Sequence, residues 1–192
     1  MTLFDRRALP AVFVGIGMAL TIGVSFLLII PIQPVYWFLA IPAGLLIGYY
    51  ANGRAARNRG EWLPILGNGL ISGVATGLTM AALLLGVRAL FFNLDNGYRD
   101  ADAGGSFTCV TGADCVYQRY REAEGDTLAA AGITDATSFA TYYWTQQWET
   151  AASLAASATA FGLLGAVIYG ATRPRTTRPG QIPDEIEAPS RP

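Results

Sequence analysis

Apolar positions along the chain gather in four blocks, over residues 10–30, 35–50, 64–92 and 149–171, with polar or proline-marked links between them. A helix rises 1.5 Å per residue, so a block of about 20 residues matches a hydrocarbon core about 30 Å thick. The first, third and fourth blocks meet that length. The second gives only about 24 Å. It is bounded by Tyr36 and Trp37 at one end and by Tyr49 and Tyr50 at the other. Such an aromatic belt favours a full crossing over a re-entrant hairpin. Pro31 and Pro34 end the first block, and Pro42 is expected to kink the second.

Within three of these blocks small residues recur at every fourth position. The third carries Gly69, Gly73, Gly77 and Ala81; the second Ala40, Gly44 and Gly48; the fourth Ala158, Gly162, Ala166 and Gly170. A helix brings every fourth residue nearly into line, giving a smooth stripe on which another backbone can rest. The second, third and fourth spans are therefore expected to pack tightly together. Leu70, Val74, Leu78 and Leu84 lie off the stripe and face lipid or another neighbour. Ser72, Thr76 and Thr79 flank it and are expected to bond across helices.

The long polar segment, 93–147, holds eight acids and three arginines. Residues 93–107 read as loop, 114–123 and 127–131 as short helices. From Thr134 nothing interrupts a helix leading through the aromatics of 139–148 into the fourth block. Cys109 and Cys115, the only cysteines, both fall in this segment. An even count in an oxidising exterior indicates one disulfide closing a small ring. Five residues separate them, unlike the two of a thiol–disulfide active site, and no histidine or lysine stands near to lower a thiol pKa. A structural staple is the better reading.

Charge sets the orientation. Arg54, Arg57 and Arg59 occupy a short link without an acid, and Arg6 and Arg7 precede the first block. Short basic segments stay cytoplasmic. The segments so assigned hold nine arginines against three in the longer acidic loop. Both termini are expected in the cytoplasm of the plasma (inner) membrane, with 93–147 outside. The proline-rich tail, 173–192, is expected to be disordered on the cytoplasmic side. The first block is longer than the 7–15 apolar residues of a signal peptide and reads as a retained span.

Composition narrows the function. The chain is 52% hydrophobic and 14% charged, too apolar for a soluble domain of this size. A net charge of −1 argues against a nucleic-acid partner. Histidine is absent, which removes the commonest general base and metal ligand. No catalytic, metal or nucleotide motif is present, and no cofactor is expected. Arg88 is the one ionisable residue within a span; it is read as snorkelling or pairing at the outer interface with Asp95 or, as the preferred pair, Glu149. Apart from Glu149 at the very edge of the fourth block the spans hold no acid, and none lies near the midplane, which argues against proton- or ion-coupled transport.

The sequence thus predicts an all-α membrane protein: a four-transmembrane-helix bundle over 1–172, with a partly helical, disulfide-stapled extracytoplasmic loop between helices 3 and 4. Its expected partners are the lipid bilayer and other membrane subunits, or a copy of itself. A non-enzymatic structural or accessory subunit leads; a small oligomeric permease or channel is the alternative. A membrane enzyme acting on lipid or thiol substrates would have only the loop cysteines and acids for its chemistry.

Overall fold

The computed structural model describes residues 5–28, 33–58, 60–94 and 111–172. Cys109, Asp95 and the 173–192 tail, to which a staple, an ion pair and disorder were assigned above, lie outside them. Every regular element among the described residues is helical. A 3-10 turn at Arg6–Ala8 leads into α1 (Leu9–Leu28), followed by α2 (Gln33–Ala55), α3 (Trp62–Leu94), α4 (Ala113–Ala130) and α5 (Ala136–Thr172). Three helical stretches are long and apolar enough to cross a membrane: Arg6–Val24, Trp62–Leu94 and Ala136–Thr172.

Local chemistry accounts for the helix ends. Pro10 and Pro64 sit in first turns, where a missing N–H costs nothing. Asp135 caps α5: its Oδ1 accepts from the backbone N–H groups of Thr137 and Ser138, each at 2.9 Å. Bonds from the Ser138 backbone and side chain, with a smaller one from the Thr137 backbone, hold the Asp135 carboxyl below the usual aspartate range against the opposing effect of desolvation.

α2 runs to Ala55, five residues past the expected limit of the second apolar block, because Ala51, Asn52 and Ala55 turn inward and are buried. Its 23 residues measure about 34 Å. The helix continues through Pro42, whose ring is exposed. It closes in a Schellman arrangement: the Ala56 N–H reaches the Gly53 carbonyl (3.2 Å) and the Arg57 N–H the Asn52 carbonyl (3.4 Å). Ala56 takes a left-handed φ of 50° to do so. A Cβ is penalised there by roughly 1 kcal/mol. Ala56→Gly should therefore raise the melting temperature by about 2–4 °C; a fall would mean that the Ala56 methyl contributes packing which outweighs the strain.

The contacts also give chain directions. Gly15 of α1 meets Thr76 of α3, and Gly23 meets Leu83, so α1 and α3 run parallel. Gly44 and Gly48 of α2 meet Ala158 and Gly162 of α5, making that pair parallel too. Gly69 and Gly77 of α3 meet Gly162 and Ala155, so α3 and α5 are antiparallel. α5 lies against both α2 and α3, and α1 closes onto α3 and α2.

α3 and α5 have 33 and 37 residues, about 50 and 55 Å of helix. Both are longer than a hydrocarbon core is thick, and α4 docks beside the C-terminal end of α3 and the N-terminal end of α5. The two short helices expected there are one element with a break in helical geometry at Glu124 (φ −137°, ψ 31°). Phe92, Val116, Leu128, Ile133, Phe139 and Tyr143 form a separate small core at that end. Phe139 is fully buried, its ring centroid 5.2 Å from that of Tyr120 and 5.5 Å from that of Tyr117.

Candidate functional site

Two constellations stand out from the helical scaffold: a seam of small residues along α5, and a polar cluster at the end where Asp5 lies.

The seam is a backbone-to-backbone contact. A Cβ at Gly44 would lie 2.5 Å from the Ala158 carbonyl oxygen, and one at Gly48 would run into the Gly162 carbonyl oxygen. On the other side a Cβ at Gly69 would stand 2.5 Å from the Ala166 methyl and 2.8 Å from the Gly162 oxygen. One at Gly73 would be 3.1 Å from the Thr159 Cα, and one at Gly77 2.7 Å from the Ala155 oxygen. Ala81 continues the line into an apolar core with Met80, Leu84, Ala151 and Leu154. Gly170 faces the Trp62 ring, where a Cβ would come within 2.8 Å of the nearest ring carbon. The every-fourth residues of all three helices thus meet at α5, which serves α2 and α3 at once. Gly165 lies off the every-fourth series, yet its Cβ would meet the Leu45 carbonyl, so it belongs to the seam as well. Of the residues set off the stripe, Leu70 and Leu78 are exposed, whereas Leu84 is fully buried against α5.

The polar cluster begins with four side chains of zero exposure: Asn52, Asn68, Ser72 and Thr76. Asn68 Nδ2 donates to Asn52 Oδ1 (3.3 Å), and Asn68 Oδ1 accepts from the Asp5 backbone N–H (3.1 Å). Asn52 Nδ2 donates to the carbonyls of Gly48 and Ile65, both at 3.0 Å. The hydroxyls differ from expectation. Ser72 donates to the Asn68 carbonyl (2.8 Å), Thr76 to that of Ser72 (2.9 Å) and Thr79 to that of Ala75 (2.8 Å). These are bonds back along α3 rather than across to another helix. The carbonyl four residues earlier is already in reach, so no partner helix is needed.

Arg57 ties this end together. Its Nη2 donates to Asp5 Oδ2 (2.7 Å) and its Nη1 to Glu61 Oε2 (3.1 Å), while its carbonyl accepts from the Tyr169 hydroxyl (3.1 Å). Asp5 also accepts from the Arg7 N–H (2.9 Å), closing the 3-10 turn. The start of the chain, the α2–α3 link and the end of α5 are thereby joined. Arg57 and Asp5 each keep about one-fifth of their side-chain surface, so the pairing is partly screened and adds modest stability.

Sequence reasoning assigned 51–60 to a link and so overlooked Asn52 and the Asp5–Arg57–Glu61 group. The usable signal was an asparagine directly after an apolar block, one helical turn before its stop. At the opposite end Cys115 is buried on α4. Arg88 is half-buried on α3 and Glu149 exposed on α5.

The chemistry of both constellations is cohesive: carbonyls, amides and one guanidinium bound to one another. No group of three or more histidine, cysteine, aspartate or glutamate side chains suited to a metal occurs among the described residues. Comparison with protein-family models, with curated proteins and with solved structures finds no match.

Proposed function

We infer that the chain is a four-crossing integral membrane protein acting as a non-enzymatic structural or accessory subunit of a membrane assembly. Chain direction supports the fourth crossing. α1 and α3 are parallel neighbours, so if both cross, the chain must return between residues 28 and 62. α2 is the helix on that path, and its length of about 34 Å suffices. The arginine bias supports cytoplasmic termini, with 93–147 outside.

One observation carries the accessory-subunit reading. The inner face of α5 is closed by backbone contact with α2 and α3, while its opposite face shows exposed Ala152, Ala156 and Ala160. Four helices in such contact leave little lumen. A smooth outer face suits docking to other membrane subunits or to a copy of itself. The second reading, a small oligomeric permease, draws on the buried Asn68–Ser72–Thr76 ladder, which would have to exchange its internal bonds for a permeant.

The test is the native mass of the tagged protein extracted in mild detergent, with identification of what co-migrates. Stoichiometric foreign subunits support the accessory reading. A homo-oligomer that conducts flux in liposomes would replace it with the permease, and a monomer with turnover would sink both.

Two finer features belong to the same reading. A Cys109–Cys115 disulfide would staple the segment ahead of α4; alkylation before and after reduction should reveal two thiols only after reduction. An Arg88–Glu149 pair at the outer interface is supported by register. Phe92 packs on Tyr143 and Trp144, so Arg88, one turn earlier on α3, comes level with 147–148 on α5.

A further inference from the structure

The Asp5 end of the molecule carries more cations than it neutralises. Among the described residues it holds Arg6, Arg7, Arg54 and Arg57 against the carboxylates of Asp5 and Glu61, an excess of two positive charges. Both carboxylates are bound to the one guanidinium of Arg57, at 2.7 and 3.1 Å. Arg6, Arg7 and Arg54 are exposed. The backbone stretches that carry them are neighbours. Ala8, Ala51 and Ala55 form one buried cluster, which fixes the turn bearing Arg6 and Arg7 against the stretch of α2 bearing Arg54.

The surroundings of these arginines are those of a headgroup layer. Exposed Trp62, Tyr49 and Tyr50 lie within five residues of Arg54 or Arg57 along the chain. Aromatic residues of this kind prefer the membrane–water boundary. Exposed Leu9 and Phe13 on α1 and Leu46 on α2 follow toward the apolar interior. Three guanidinium groups without an acid partner among the described residues, above an apolar wall, match one occupant in charge and shape: a phospholipid with an anionic headgroup and acyl chains. Guanidinium groups bind phosphate oxygens in bidentate fashion, and each basic residue near an anionic surface contributes roughly a five-fold gain in binding.

We propose that Arg6, Arg7 and Arg54 form a binding site for an anionic phospholipid at the Asp5 end of the protein. The lipid phosphate sits among the three guanidinium groups, and the acyl chains lie along the exposed apolar residues of α1 and α2. The Asp5–Arg57–Glu61 group has a defined part: by occupying both acids it keeps them from competing for the three arginines. The proposal rests on the reading that the chain spans a membrane.

Native mass spectrometry of the full chain in mild detergent tests it, with phosphatidylglycerol and phosphatidylcholine offered at equal concentration. Wild-type protein should retain phosphatidylglycerol preferentially, and rising salt should weaken that preference. The Arg6→Gln/Arg7→Gln/Arg54→Gln variant should lose it by about a hundred-fold, while the corresponding lysine variant keeps a substantial part. Equal retention of the two lipids by the wild type overturns the proposal, even if the glutamine variant fails to fold. Unchanged preference in a folded glutamine variant overturns it equally. Flotation with liposomes separates this failure from that of the membrane reading: a chain that floats without lipid preference leaves the membrane reading standing, whereas one that does not float removes both.

Discussion

Gly48→Leu should lower the melting temperature by roughly 6–12 °C, or prevent the folded protein from being recovered, whereas Gly17→Leu should shift it by no more than about 2 °C. Both positions are glycines in apolar helices, so composition and helix propensity treat them alike. Their surroundings differ. A Cβ at Gly48 runs into the Gly162 carbonyl oxygen and comes within 2.9 Å of the Gly162 Cα, while one at Gly17 meets nothing within 4 Å. The obstructing atoms are backbone, which cannot rotate aside as a side chain can. Moving α5 away to admit the leucine would also disturb its contact with α3, because on the far side a Cβ at Gly162 would already stand 2.9 Å from the Gly69 carbonyl oxygen and the Gly73 Cα. Overpacking of this kind costs about 3 kcal/mol or more. Thermal unfolding of the two variants in one detergent decides the matter; equal shifts would mean that the seam can open without cost.

Asn68→Leu should destabilise the protein by about 2–4 kcal/mol. The leucine has the branched outline and the same number of side-chain heavy atoms as the asparagine, so the loss is mainly one of hydrogen bonding. It leaves Asn52 Oδ1 without its donor in a site of zero exposure, and the Asp5 N–H without its acceptor. A buried polar group deprived of its partner costs more than the bond contributed. Adding Asn52→Leu removes the orphaned oxygen, so the double variant should recover part of the loss, on the order of 1 kcal/mol or more. The carbonyls of Gly48 and Ile65, to which Asn52 donates, retain their places in the helical ladders. Hydrogen exchange at residues 5–8 gives an independent reading, since the 3-10 turn should become less protected in the single variant. If the double variant were less stable by the full sum of the two singles, the amide pair would not act as a unit.

The sites of these two variants were unequally legible. The spacing of Gly44, Gly48, Gly69, Gly73 and Gly77 is a property of helix geometry, and a sequence displays it directly. That these stripes converge on α5 from two sides is not, because periodicity identifies a face without naming the helix it meets. Asn52 was hidden for a different reason. An apolar block ends where its hydropathy falls, but α2 ends five residues later, where buried Ala51, Asn52 and Ala55 stop gaining contacts and Ala56 turns left-handed. The hydroxyls of Ser72 and Thr76 were visible as polar residues within an apolar span. Their choice of an acceptor on their own helix depended on which atoms came nearest.

By itself the sequence determined the all-helical class, the three long apolar helices and the small-residue faces. These depend on hydropathy and on the 3.6-residue turn, both set within a few residues along the chain. Only the tertiary structure decided that α1 and α3 run parallel, that Leu84 is enclosed while Leu78 is not, and that Arg57 joins Asp5 to the end of α5. Those outcomes bring together residues separated by 52 positions for Asp5 and Arg57 and by 112 for Arg57 and Tyr169. A contact over such a distance is created by the packing of whole helices, and no local pattern encodes it.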